Sequence, residues 1–143
     1  MRLRFEERHL GILRSASDPR DEEAARLSLS LSFPLGLSLL GGLEGRAAGT
    51  LSAERLGGEA RASGEVRLAR DGLRYSLRID AGPAGLLQLE AHKGGFGVDF
   101  LSAISTLGGR LVDASGATWG SVVLRFDPRD DLRAAYRSLR LEP

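Results

Sequence analysis

The chain has 143 residues, no cysteine and a formal net charge of +1. This is the length of one domain, and the lack of cysteine excludes disulfides, thiolate metal sites and a cysteine nucleophile. The nearly neutral charge selects neither nucleic acid nor a membrane surface, and no apolar run reaches the roughly 20 residues of a membrane-spanning helix. We therefore expect one soluble, cytoplasmic domain over residues 1–143.

The first predicted element is a strand near the start of the chain. Leu3 and Phe5 lie on one side of this strand, whereas Leu10 and Ile12 lie on the other. A change of side within one strand predicts a β-bulge, which we expect near Arg8–His9.

The next segment is polar and is followed by the most regular pattern in the chain. Asp18 can cap a helix and Pro19 suits its first position, so we expect a short helix before Arg26. From Leu27 to Leu39 every second residue is apolar. This period of two predicts a strand with one buried face. Because proline cannot donate to a sheet, the strand should end at Pro34, and the remaining leucines should form a crossing.

The middle of the chain predicts a meander of short antiparallel strands between Arg46 and Lys93. Its turn signals are Gly57–Gly58, Asp71–Gly72 and residues 82–85. Small residues recur on one face of the early strands, and they predict a wall that leaves room beside the core. They are Gly49, Ala53, Ala60, Ala62 and Gly64.

The last third combines strands with helical patterns. Residues 98–107 have helical spacing but remain ambiguous, and residues 111–112 and 122–126 predict strands around a turn at Ser115–Gly116. Pro128 starts a predicted C-terminal helix that ends near Leu139. The eight or nine strands predict a mainly β fold, either a lipocalin-like antiparallel barrel or a β-sandwich.

Motifs for catalysis and cofactor binding are missing from the sequence. There is no glycine-rich phosphate loop and no nucleophile elbow, and the two histidines lack the short spacing of metal ligands. We expect no cofactor, no metal and no catalytic residue. Arg129, Arg133 and Arg137 align on the predicted C-terminal helix, but acidic residues at its start make dipole matching a simpler interpretation than nucleic-acid binding.

The candidate binding residues are the large apolar and aromatic side chains expected on the inner face. An antiparallel barrel of about eight strands can hold one small ligand. The predicted lining comprises Phe5, Leu29, Leu31, Tyr75, Leu77, Leu89, Phe100 and Trp119. Glu90 and His92 share one side of a strand and are polar pocket candidates, able to exchange protons if that side lines the cavity. The simpler interpretation is a solvated outer face, because the alternate positions of that strand are apolar.

A family pattern extends over most of the chain. It consists of residues 27–31 (Leu-Ser-Leu-Ser-Leu), 48–50 with 56–58, 73–77 with Gly85 and His92–Lys93, 96–100 with 105–107, and 123–132 with 139–141. Together these segments resemble a β-rich accessory domain associated with bacterial glucose-methanol-choline oxidoreductases, of the cholesterol-oxidase-like kind, and with lipase-like hydrolases. The chain departs where two glycines follow Ile104–Leu107, since the family usually has a Thr-rich strand there.

This resemblance implies a module that accompanies lipid or sterol chemistry, with the flavin site in a neighbouring enzyme domain. We expect a non-enzymatic module that binds or presents an apolar small molecule in a barrel cavity. The alternative is an interaction or oligomerisation module that docks a partner enzyme or a second copy through the Leu-rich face from Leu35 to Leu39. A third hypothesis is a small acid/base enzyme that uses Glu90 and His92.

Overall fold

The computed structural model of the chain describes residues 2–34, 43–69, 72–94, 106–126 and 137–143. Over these residues the secondary structure is mainly β-strand, with short 3-10 turns at Glu54–Leu56 and Gly82–Ala84 and helical residues at 137–138. The strands are β1 (Arg2–Ser15), β2 (Glu22–Pro34), β3 (Leu43–Ala53), β4 (Gly58–Ala69), β5 (Gly72–Asp80), β6 (Leu86–Lys93), β7 (Thr106–Val112), β8 (Thr118–Arg125) and β9 (Arg140–Glu142). No helix among the described residues has the length and apolar character needed to cross a lipid bilayer.

The strands form a closed antiparallel barrel. Strands β1 to β8 pair in chain order, and β1 pairs with both β2 and β8, which closes the sheet. The predicted barrel is therefore confirmed, and the sandwich alternative is not what forms. Strand β8 pairs with β1 only from Leu10 to Ser15, and β9 pairs with Arg2–Arg4 on the same edge. The ninth strand thus extends the sheet at the first residues of β1.

The alternating pattern on β2 forms the strand that it predicts. Leu27, Leu29, Leu31 and Phe33 are buried inside the barrel, while the serines between them are partly exposed. The strand ends at Pro34, as expected for a residue that cannot donate to the ladder. The predicted crossing, and with it the Leu-rich face from Leu35 to Leu39, lies outside the described residues.

The predicted bulge in β1 is wrong. The β1–β2 register runs without a break from Arg2, opposite Pro34, to Arg14, opposite Glu22. Odd-numbered residues face inward along the whole strand, so Leu10 points outward with 56% of its surface exposed. The apolar pattern changes sides because polar residues occupy two inward positions, a possibility that counting apolar residues overlooks.

The predicted helix before Arg26 is also wrong, because residues 18–21 form a tight turn. The Asp21 N–H donates to the Asp18 carbonyl at 3.0 Å, and the Arg20 N–H donates to Asp18 Oδ1 at 3.0 Å. Strand β2 begins immediately afterwards at Glu22. Aspartate followed by proline suits a β-turn as well as a helix start, and here the turn forms.

The structure tests most of the other predicted connections between strands. Turns form at Gly57, at residues 82–85 and at Gly116. The β4–β5 hairpin forms with Ala69 opposite Gly72, although residues 70–71 lie outside the description. The C-terminal helix and the ambiguous segment fall mainly on residues 127–136 and 95–105, also outside it. Of the ambiguous segment, residues 106 and 107 open β7.

The antiparallel order gives the barrel two different ends. Residues 16–21, 54–57, 81–85 and 113–117 connect strands at one end, which we call the turn end. The other end, which we call the loop end, carries the connections that contain residues 35–42, 70–71, 95–105 and 127–136. Strand β1 starts at the loop end and runs to the turn end, so low-numbered residues of β1 mark the loop end.

The wall of small residues lies between β3 and β4. Gly49 is paired with Ala62, and Ala47 with Gly64. A Cβ atom added to Gly49 or Gly64 would collide with the carbonyl oxygen of Ser28 or Ser76 on the adjacent strand. These two glycines therefore allow neighbouring backbones to approach closely.

Candidate functional site

A row of inward side chains encircles part of the loop end. Register places Leu43 opposite Leu68, Leu68 opposite Leu73, and Leu73 opposite Lys93. The three leucines are only partly buried and pack against the core, as does Phe5 on β1, which stacks on Phe33 with 6.0 Å between ring centroids. We call Phe5, Leu43, Leu68 and Leu73 the collar. It is an apolar surface that is still partly exposed at one end of the barrel.

A set of polar side chains lies inside the barrel beside the collar. Its members, which we call the polar cluster, are Glu7, His9, Tyr75 and Lys93, with exposed fractions of 5%, 0%, 1% and 3%. Polar groups this deeply buried are uncommon unless they are paired. Each occupies an inward position on its strand, because side chains alternate between the two faces.

Hydrogen bonds of the polar cluster cross the barrel. The Tyr75 hydroxyl donates to Glu7 Oε2 at 2.8 Å, and Lys93 Nζ lies 3.3 Å from Glu7 Oε1. Strands β1 and β5 are four positions apart in a closed ring of eight, so Glu7 and Tyr75 come from opposite walls. The Glu7 carboxylate therefore links three strands of the barrel, namely β1, β5 and β6.

An aromatic ring from the residue that follows β8 lies against the cluster. Phe126 is buried, and Lys93 Nζ lies 4.7 Å from the centroid of its ring. This is within the range of a cation–π contact. The same ring lies 5.5 Å from that of His9. The positive charge of Lys93 thus lies near the Glu7 carboxylate and two aromatic rings, those of Phe126 and, at 5.9 Å from its centroid, Tyr75.

The environment of His9 keeps its imidazole neutral. Burial, followed by the positive charge of Lys93, lowers the pKa of His9 from 6.5 to about 3, against a smaller opposing effect of the Leu27 backbone. Glu7 Oε2 lies 3.8 Å from His9 Nε2, but its charge is shared with Lys93. Neither ring nitrogen has a hydrogen-bond partner among the described residues. A neutral imidazole offers one donor and one acceptor.

The phenol of Tyr75 is held in its protonated form. Burial raises its pKa well above 10, and the charge of Glu7 and the hydrogen bond to it act in the same direction. Tyr75 therefore remains a donor to the Glu7 carboxylate at physiological pH. The polar cluster as a whole brings together an amine, a carboxylate, a phenol and a neutral imidazole, groups that can orient a polar ligand or transfer protons.

We expect the buried His9 to make stability depend on pH. The unfolded chain protonates this histidine below pH 6.5, whereas the folded chain resists protonation down to about pH 3. Stability is therefore fully present above pH 6.5 and falls as the pH drops toward 3. Between pH 7.5 and 4.5 the loss should be about 2 to 3 kcal/mol, measured by urea unfolding at each pH.

Two variants test the origin of this loss. His9→Leu removes the titrating group and should flatten the stability curve in this window. His92→Gln changes the other histidine, which is exposed, and should keep the wild-type slope. Equal slopes in His9→Leu and the wild type would contradict the assignment.

The residues predicted to line a cavity lie at different depths. Leu29, Leu31, Tyr75, Leu77 and Leu89 point into the barrel and are buried. Phe5 belongs to the collar, and Trp119 is partly buried against the core at the start of β8, at the turn end. Phe100 lies outside the described residues.

Glu90 and His92 lie on the outer face of β6, where both are exposed. Glu90 Oε1 accepts hydrogen bonds from Ser76 at 2.9 Å and from Gln88 at 3.1 Å. With Arg67 and Arg74 they line an open depression of about 500 Å³ on the outside of the barrel. They are therefore separated from the polar cluster by the barrel wall.

Reasoning from the sequence missed three members of the polar cluster. Glu7 and His9 are odd-numbered residues of β1, like the inward Leu3, Phe5 and Leu13. Their shared position in the alternation could have predicted that they face inward. Lys93 continues the inward series of Leu87, Leu89 and Ala91 on β6. Parity along a strand predicts burial even where the residue type argues against it.

Comparison of the chain with protein-family models, curated proteins and solved structures finds no match. Within the described ranges, no three histidine, aspartate or glutamate side chains converge as metal ligands would. The function is therefore inferred from the collar and the polar cluster.

Proposed function

We propose that this protein is a non-enzymatic module that binds an apolar small molecule, such as a lipid or sterol, at the loop end of its barrel. The observation that carries the proposal is the collar of partly exposed apolar side chains directly beside the buried polar cluster. Small-molecule sites typically combine an apolar lining with a few polar groups that fix orientation. The resemblance to a domain that accompanies lipid or sterol chemistry supports the same class of ligand.

The two parts of the site make different contributions to binding. Covering the collar removes apolar surface from water, which is favourable by about 25 cal/mol per Å². The polar cluster would orient the polar end of the ligand, because charged and hydrogen-bonding groups act strongly where water is excluded. Deeper in the barrel than the collar, Leu77 and Leu89 have no exposed surface. Their complete burial supports a site at the loop end, above these leucines.

We expect an environment-sensitive fluorescent fatty acid to bind the wild-type chain saturably. Leu73→Asp places a carboxylate in the collar and should weaken binding at least about tenfold, because the charge would lose hydration under the ligand. The matched control is Leu86→Asp, which alters an exposed leucine at the turn end and should leave the affinity unchanged. Thermal melts of both variants establish that they fold. Absence of saturable binding by the wild type would overturn the proposal.

A second candidate function, protein docking, is favoured by an apolar patch on the outer wall. Leu10 and Val123 are 56% and 46% exposed, and Val123 is paired with the partly buried Ile12 on the neighbouring strand. Apolar surface in such a cluster is a common feature of interaction sites. The patch is separate from the collar, and its test is the oligomeric state in sedimentation.

A further inference from the structure

Lys93 is the only lysine in the sequence. All the other residues among the 20 Lys and Arg are arginines. It is also buried, with 3% of its surface exposed. The single primary amine on a side chain therefore lies inside the barrel, in the same register row as the collar leucines. Glu7 Oε1 lies 3.3 Å from its Nζ.

An ion pair with Glu7 does not by itself require lysine. Arginine pairs with carboxylates through two parallel hydrogen bonds and is more weakly hydrated, so it suits a buried pair at least as well. Arginine keeps its proton under all ordinary conditions, whereas a lysine amine can lose its proton and act as a nucleophile. A chain that uses arginine everywhere else has lysine at the one position where this difference has chemical consequences.

The geometry points to Lys93 as the residue that forms an imine with the carbonyl group of an apolar aldehyde or ketone seated on the collar. This inference rests on the proposed binding function and specifies the class of ligand. The apolar body would cover the collar, and the carbonyl carbon would meet Lys93 Nζ beside Glu7.

The residues of the polar cluster account for each proton in this step. Glu7 takes a proton from the Lys93 ammonium, and the neutral amine then forms a C–N bond to the carbonyl carbon. The proton displaced from nitrogen moves to the carbonyl oxygen, which gives a carbinolamine. The protonated Glu7 then donates its proton to the hydroxyl as the C–O bond breaks. The products are one water and a protonated imine, beside a Glu7 carboxylate.

The electrostatics of the barrel interior are the same before and after this reaction. The ammonium and the protonated imine each carry one positive charge, so the Glu7 carboxylate remains the counter-ion in both. Tyr75 continues to donate to Glu7 Oε2, and the Phe126 ring continues to face the cation. The site therefore requires no new buried charge, which would be costly in an interior of low dielectric.

Reductive trapping tests the inference directly. The full chain is incubated with decanal and sodium cyanoborohydride, which reduces an imine to a stable amine, and the product is analysed by intact mass and peptide mapping. We expect saturable addition of one decyl group at Lys93. Arg78→Lys provides a matched reference, because it introduces an exposed amine on the outer face of β5. Lys93 should react at least about tenfold faster than this introduced amine, as expected for an oriented reaction.

Three further samples assign the reaction to the folded site. Glu7→Gln should slow trapping at Lys93 at least about tenfold, because it removes the proton acceptor. Lys93→Arg should abolish trapping at this position. The Arg78→Lys chain, unfolded in urea, should lose the preference for Lys93 over the introduced amine.

The outcomes separate the imine from binding itself. If the fluorescent fatty acid binds and unreactive decanol displaces it, but Lys93 is not modified faster than the reference amine, the imine inference is overturned and the binding function stands. If neither the fatty acid nor decanol binds and Lys93 is unmodified, the proposed function is overturned as well. The measurement on the Arg78→Lys chain, which keeps Lys93 and Glu7, decides the question even if a Lys93 or Glu7 variant fails to fold.

Discussion

Glu7→Gln is expected to lower the free energy of unfolding by about 3 to 5 kcal/mol at pH 7. The glutamine can still accept a hydrogen bond from Tyr75, so the substitution removes mainly the negative charge. Lys93 would then remain buried, at 3% exposure, without its ion pair to Glu7. Equilibrium unfolding in urea, followed by circular dichroism, measures the loss.

The double variant Glu7→Gln with Lys93→Met removes both charges and should recover most of the loss, because an apolar side chain replaces the buried ammonium. A double variant as unstable as Glu7→Gln alone would show that the ion pair is not the cause.

Leu31→Ala is expected to destabilise the barrel by about 2 to 5 kcal/mol. Leu31 has no exposed surface and lies inside the barrel opposite Phe5 in the β1–β2 register. Truncation removes packed methyl groups and leaves a cavity that the surrounding strands cannot fully close. Thermal and urea unfolding of the variant measure the effect.

Leu10→Ala is the matched control for this substitution. It makes the same chemical change on the outer face of the neighbouring strand, where Leu10 is 56% exposed, and it should change stability by less than about 0.5 kcal/mol. A cost below about 1 kcal/mol for Leu31→Ala would contradict the expectation of a packed interior at this depth. It would instead favour a deep ligand cavity that Leu31 lines.

Together these predictions divide the barrel into two parts. Near the turn end, residues such as Leu51, Ile79 and Leu111 are fully buried and account for much of the core. At the loop end, the collar retains exposed apolar surface and the polar cluster retains unpartnered imidazole nitrogens among the described residues. The fully buried apolar core of the turn end and the proposed binding surface of the loop end thus lie at different ends of the same strands.

Local patterns were sufficient to predict the strands and most turns. The stripe on β2 predicted a half-buried strand, and its end at Pro34 followed from the chemistry of proline. Gly57 and Gly116 adopt positive φ angles of 78° and 86° in predicted turns, as suits a residue without a side chain. Local patterns failed at residues 18–21, where aspartate and proline are compatible with both a helix start and a turn.

The candidate site was harder to predict because its residues are polar. Residue type alone predicts that a glutamate, histidine or lysine faces solvent, even where the strand points it inward. Glu7 and His9 therefore suggested a change of side in β1 that does not occur. Glu90 and His92, which the sequence suggests as a polar pair, lie outside the barrel. Lys93, one residue later, lies inside.

The alternation of faces along each strand follows from the sequence alone, because it is a property of the extended backbone. That alternation is enough to predict a mainly β chain with one apolar side. Which inward residues meet is fixed only when the barrel closes, since closure sets β1 opposite β5. It brings Glu7 to Tyr75, 68 residues away, and to Lys93, 86 residues away. These contacts depend on how eight strands close into a ring, and no single strand contains that information.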